Sequence, residues 1–164
     1  MPKKIQTTCA LEAWDFDELP KEDQELLVQA HAAVLRAYAP YSGFRVGAAA
    51  RLANGAVVTG NNQENAAYPS GLCAERVALF YAASEHPGVP VLALAVASDG
   101  EAEWGSFSPC GGCRQVIQES EHRQNEPIRL ILQCQDQEVA VADGIAQYLP
   151  FSFRAKGLGQ LAQD

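Results

Sequence analysis

Cys73-Ala74-Glu75-Arg76 and Pro109-Cys110-Gly111-Gly112-Cys113-Arg114-Gln115 are the two stretches on which the reading of this chain turns. Three thiolates suit a tetrahedral zinc ion and leave its fourth position open, which marks a catalytic rather than a structural site. Glu75 stands two residues past the first thiol, where a carboxylate can handle the protons of a water at that open position. Cys110-x-x-Cys113 by itself would equally fit a redox pair or two inert core thiols. Adding Cys73 and Glu75 tips the balance to a metal. Both stretches also open predicted helices, and a helix start favours thiolate over thiol through its exposed N–H groups and dipole. Cys110 and Cys113, three apart, share a helical face.

Working outward, residues 20–38 predict an amphipathic helix, with Leu26, Leu27, Ala30, Ala33, Val34 and Ala37 at helical spacing and Pro40 ending it. Strands are expected at 44–52 and 57–60, joined by the hairpin signal Asn54-Gly55. A helix is expected from Ala74 to Ser84, and a strand covered on both faces over the apolar run Val91 to Ala97. A loop over 99–109 leads into a helix over about 111–121, then strands at 128–134 and 138–141 and a short helix from Asp143. This order predicts an α/β fold, a three-layer α/β/α sandwich around a five-stranded mixed sheet.

The chain has 164 residues, enough for one domain with a real core, and its 48% hydrophobic and 20% charged composition is that of an ordinary globular protein. A net charge of -8 speaks against a polynucleotide partner, because phosphate contacts normally demand a basic patch. No apolar run is long enough for a membrane span, and no signal-peptide core follows Lys3 and Lys4. Five cysteines, an odd number, argue against a secreted disulfide framework, so the expected location is cytoplasmic.

Three further segments extend the pattern. Tyr38-Ala39-Pro40-Tyr41-Ser42-Gly43-Phe44-Arg45-Val46-Gly47-Ala48-Ala49, Gly60-Asn61-Asn62-Gln63-Glu64-Asn65-Ala66-Ala67-Tyr68-Pro69 and Leu149-Pro150-Phe151-Ser152-Phe153, taken with the cysteine stretches, resemble the cytidine deaminase family, specifically its small homotetrameric branch. The likeness covers about residues 20–154, leaving 1–19 as an N-terminal extension of unknown role and 155–164 as a tail. It departs at Gly43, where a larger residue is frequent, and at Gly112, where alanine is usual.

The resemblance implies a fold, an activity and a set of roles. Zn²⁺, about one per chain, would be bound by Cys73, Cys110 and Cys113, with Glu75 as the acid/base group for hydrolytic deamination of cytidine and deoxycytidine in pyrimidine salvage. Arg76 would donate to a coordinated sulfur, offsetting the charge of about -1 that three thiolates leave on the ion. Arg114 has the same opportunity, or a plain structural one. Asn62 and Glu64 would hold the ribose, Phe44 would pack on the pyrimidine, and the Ala74 N–H would meet the base carbonyl. A homotetramer is implied, with Phe153 as the aromatic donated across an interface. Cys134 reads as a buried inert thiol and Cys9 as a free one. Trp104 could close over the site or simply pack.

Two rivals remain at this level. A deaminase of nucleotides, nucleic acid or another base would more often use histidine as first ligand, and the Asn62-x-Glu64 loop favours a ribose. A non-catalytic zinc module would have no use for Glu75.

Overall fold

In the computed structural model, which describes residues 2–102, 106–134 and 138–154, six strands form one sheet. They are β1 (Glu12–Trp14), β2 (Val46–Leu52), β3 (Val57–Asn61), β4 (Val91–Ser98), β5 (Arg129–Cys134) and β6 (Val139–Asp143). Three helices accompany them: α1 (Lys21–Val34), α2 (Ala74–Glu85) and α3 (Gly111–Gln124). The strand order is β1-β6-β5-β4-β2-β3, with β4 and β5 parallel and the other neighbours antiparallel.

The period of two along each strand sorts the side chains into two cores. Ala49, Ala93, Ala95, Ala97, Ile131, Val139 and Val141 meet Leu26, Leu27, Ala30 and Val34 of α1 on one face. Ala48, Ala50, Leu94, Val96, Leu130 and Leu132 meet Ala74, Ala78, Leu79 and Ala82 of α2 and Ile117 of α3 on the other. The expected three layers are therefore present, and β4 is covered on both sides as its apolar run implied.

Small residues in β2 and β3 set the layer spacing. A Cβ on Gly47 would fall 2.2 Å from the Ala30 carbonyl oxygen of α1, and one on Gly60 would fall 2.5 Å from the Ala78 nitrogen of α2. Glycine is required at both positions because each helix lies backbone-close to the sheet.

The sheet has six strands, not five. The sixth, β1, comes from the segment that sequence placed outside the domain. Three residues carry no readable periodicity, and β1 exists because Glu12, Ala13 and Trp14 pair with Val141, Ala140 and Val139 on the edge of β6. Two ends also move. The first helix stops at Val34, and Arg36 and Ala37 donate to Ala33 and Val34 in tighter turns before Pro40. The short helix after Asp143 is a single 3₁₀ turn, Ile145–Gln147, entered through Gly144 at φ 91°.

A polar knot fastens the first layer. Asp23, 1% exposed near the start of α1, receives Arg51 of β2 at 3.3 Å and Arg129 of β5 at 2.8 Å. Glu22 and Asp143 then flank the two guanidinium groups.

Candidate active site

Cys73 and Cys110 occupy the cap positions of α2 and α3, both with extended backbone, and Cys113 lies within the first turn of α3. Two positive helix ends therefore converge on three sulfurs. The Cys73 and Cys110 Sγ atoms are 3.8 Å apart, Cys110 and Cys113 are 3.5 Å apart, and the whole set lies within 4.8 Å. Sulfurs about 2.3 Å from a tetrahedral zinc would sit about 3.8 Å from each other. The donor set fits zinc in both chemistry and spacing.

The electrostatics point the same way. Hydrogen bonding from Cys113, then the neighbouring Arg76, holds the Cys73 thiol down to about 5. The same pairing pushes the Cys113 thiol up, so the pair shares one proton and one negative charge. A dication placed among the sulfurs would displace that proton. Arg76 extends Nη2 to the Cys73 sulfur at 4.0 Å and to the Gly71 carbonyl at 3.3 Å, while its buried Nε has no partner among the described residues.

Arg114 does something else. Its Nε donates to the Pro109 carbonyl at 2.7 Å, Nη1 to the Tyr148 carbonyl at 3.0 Å and Nη2 to the Ser108 hydroxyl at 2.9 Å. These bonds tie the chain that delivers Cys110 to the turn at Tyr148, and among the described residues none of them goes to a sulfur.

Glu75, 5% exposed in the first turn of α2, is pushed up to about 7 chiefly by burial and next by the Cys73 charge. It faces an open pocket of about 600 Å³ whose lining also includes Phe44, Asn62, Glu64, Cys73, Arg76 and Cys110. Cys113 is buried beneath that set. Ala74 is fully buried and does not line the pocket, although as the first residue of α2 its N–H has no acceptor within the helix.

The Asn62 amide, also in the pocket lining, is already engaged. Its Oδ1 accepts from the Val46 N–H at 2.8 Å and its Nδ2 donates to the Phe44 carbonyl at 2.9 Å, fixing the entry to β2 and keeping one further donor and acceptor. The Phe44 ring rests on backbone: a Cβ at Gly100 would lie 2.4 Å from two of its atoms. Phe107 stands beside it, ring centroids 6.3 Å apart and tilted by 49°. Glu64 accepts from the Tyr41 and Ser42 N–H groups and from the Ser42 hydroxyl, and these bonds, the hydroxyl's first, hold its carboxyl below the usual range.

Sequence reasoning missed Ser42, Gly100 and Phe107. Nothing in the spacing of these residues reveals a bond between positions 42 and 64, which only the fold brings together. Phe153 is exposed and away from this pocket, its carbonyl accepting from Gln115. Cys134 is buried with Sγ 2.8 Å from the Gly100 carbonyl, and Cys9 is exposed and free. Trp104 lies outside the described residues.

A structural zinc site would close its coordination with a fourth ligand and would not bury a carboxylate alongside; this layout is that of the zinc-dependent hydrolytic deaminases as a class. More narrowly, residues 20–125 match the family model described as the cytidine and deoxycytidylate deaminase zinc-binding region, and the chain belongs to that family. A cytidine deaminase of Halalkalibacterium halodurans is 40% identical over 135 residues, covering 82% of this chain and 96% of that one. Another, of Sporosarcina psychrophila, is 47% identical over 97 residues, covering 58% and 68%. The crystal structure of cytidine deaminase from Burkholderia pseudomallei superposes with a TM-score of 0.69 at 35% identity, over 82% of this chain and all of that one. The enzyme is thus a zinc-binding hydrolase of the cytidine deaminase kind.

Proposed function

We propose that this chain hydrolyses free cytidine and deoxycytidine to uridine and deoxyuridine with release of ammonia, serving pyrimidine salvage in the cytoplasm, and that it works as a homotetramer. The observation that carries the reading is a buried carboxylate, Glu75, lining the same pocket as Cys73 and Cys110 of the thiol cluster and as Glu64. Among the described residues no helix is long and apolar enough to cross a membrane.

Cys73, Cys110 and Cys113 would hold the zinc, which when bound supplies Lewis acidity that makes a water nucleophilic at neutral pH. Glu75 takes a proton from the water whose oxygen bonds to C4 and gives it to ring N3. It then carries the proton of the new C4 hydroxyl to the 4-amino group, which leaves as ammonia as the C4–N bond breaks and the C4 carbonyl forms. A carboxyl pushed up to about 7 by burial exchanges protons readily at neutral pH, so one group serves as base and then as acid. Arg76 keeps its guanidinium at Cys73 and withdraws charge from that sulfur. Phe44, fixed against Gly100, offers its face to the pyrimidine. The Ala74 N–H is set at a helix start, where a base carbonyl can accept from it.

Asn62 and Glu64 select a nucleoside. A free 3′-hydroxyl donates to the Glu64 carboxylate, whereas a polynucleotide would bring a phosphate to that oxygen, removing the donor and opposing like charges. The test compares wild type and Glu75→Gln by ultraviolet absorbance on cytidine, deoxycytidine and a single-stranded oligonucleotide. Wild type should turn over both nucleosides and almost none of the internal cytosine. Glu75→Gln should retain zinc and lose roughly 10²–10⁴-fold in rate. A Glu75→Gln rate within tenfold of wild type, or efficient use of the oligonucleotide, would overturn the assignment.

A further inference from the structure

The Glu64 carboxylate is bonded on both oxygens before any ligand arrives. Its Oε2 accepts from the Tyr41 N–H at 2.9 Å and the Ser42 N–H at 3.3 Å, and its Oε1 accepts the Ser42 hydroxyl at 2.5 Å. The hydroxyl also accepts from the Phe44 N–H at 3.0 Å. That second bond fixes the direction of the first. A serine hydroxyl has a single proton, and with Phe44 N–H on its lone pair the proton is left to point at Glu64.

Gly43 makes this loop geometrically feasible. Its φ of 68° folds the chain so that Ser42 can reach forward to residue 44 while still facing residue 64. An ionised carboxylate has about four acceptor directions, and three are taken here, so about one remains for a donor from the pocket. Ser42, Phe44 and Glu64 all line that pocket.

We propose that Ser42 is a positioning residue for substrate: its hydroxyl locks the Glu64 carboxylate in one rotation, leaving a single acceptor direction for the sugar hydroxyl. This rests on the reading of Glu64 as the sugar anchor. Ser42 need not touch the nucleoside itself. Its hydroxyl stands between the wall that holds the sugar and the residue that faces the base.

The experiment is a double-mutant cycle of Ser42→Ala and Glu64→Gln, with Ser42→Thr as the conservative control. Each is assayed on cytidine and on 3′-deoxycytidine, with zinc content and melting temperature measured alongside. Ser42→Ala should lower kcat/KM on cytidine by roughly tenfold, mainly through KM, the size expected when a hydrogen bond to a charged group is lost. The loss should shrink to under about threefold on 3′-deoxycytidine and in the Glu64→Gln background, where there is no anchor left to aim. Ser42→Thr should restore most of the activity on cytidine, and zinc content should not change. Equal losses by Ser42→Ala on both substrates, while Glu64→Gln discriminates between them, would overturn the role of Ser42 alone. If Glu64→Gln affects both substrates equally, the sugar-anchor reading fails and the role of Ser42 fails with it.

Discussion

Glu121 shows at the scale of one residue how a polar group far from the chemistry can set a pH dependence. Its Oε1 accepts from the Ile128 N–H at 2.9 Å and the Ile145 N–H at 2.8 Å, tying α3 to the start of β5 and to the turn after β6. Burial raises its carboxyl above the ordinary 4.5, outweighing the two N–H bonds that favour the charged form. A group whose folded pKa is raised stabilises the fold below its unfolded pKa and loses that contribution as pH climbs through the folded value. Glu121→Gln keeps an oxygen for both N–H groups and removes the charge. Its melting temperature should therefore match wild type near pH 4 and exceed it near pH 8, as read by thermal melts across that range. A difference that does not grow with pH would contradict this. Glu121→Ala orphans two N–H groups and should cost about 1–3 kcal/mol at every pH. None of this was legible in the chain, because the acceptor and its donors are brought together only by the fold. The thiol cluster was legible, because Cys73, Glu75, Cys110 and Cys113 carry their geometry in their spacing from two helix starts.

Among the elements, those with strong periodicity were readable and those made by tertiary pairing were not. The apolar run of β4, the Asn54-Gly55 hairpin and the caps of α2 and α3 each state their structure locally. Strand β1 is specified by the open edge of β6 and by Trp14 and Phe16 packing on the α1 face. The Asp23 knot binds three elements through partners 28 and 106 residues away, beyond any window of local pattern. Glycines divide in the same way. Gly47 and Gly60 report helix–sheet contacts that only the folded layers reveal, whereas Gly112 sits in the opening turn of α3, where a Cβ would meet nothing closer than the Cys110 sulfur at 4.0 Å. Gly112→Ala should consequently stabilise the chain by about 0.4–1 kcal/mol through reduced freedom of the unfolded state. That corresponds to a rise of roughly 1–4 °C in melting temperature with zinc content unchanged. A fall in melting temperature, or loss of metal, would show that the turn carrying Cys110 and Cys113 needs glycine for a reason other than space.

For the whole molecule, the distribution of exposed aromatics is the feature that a lone chain leaves unexplained. Phe80 and Tyr81 project from α2, Phe151 and Phe153 from the segment after the last turn, and Tyr41 meets Tyr68 edge to face, 6.4 Å between centroids. Monomers seldom expose so many large aromatic side chains, and such surfaces mark interfaces. Tyr68 lines the pocket yet is 78% exposed, so that wall stands open to solvent in one chain. Excluding water there would strengthen the polar contacts around the base, and a neighbouring copy carrying Phe153 is the occupant we propose. Closed symmetry then favours a small even number of copies, and four chains of 17.6 kDa make about 70 kDa. Light scattering at assay concentration should report that mass. Replacing Phe80 with Asp should weaken the assembly, and kcat/KM should fall with the fraction of chains released, while zinc stays bound because Cys73, Cys110 and Cys113 all belong to one chain. Phe153→Ala should lower activity without changing the mass, since an aromatic finger can be lost while the rest of an interface holds. A monomer with full activity at every concentration would refute the shared pocket, and with it the role given to Phe153.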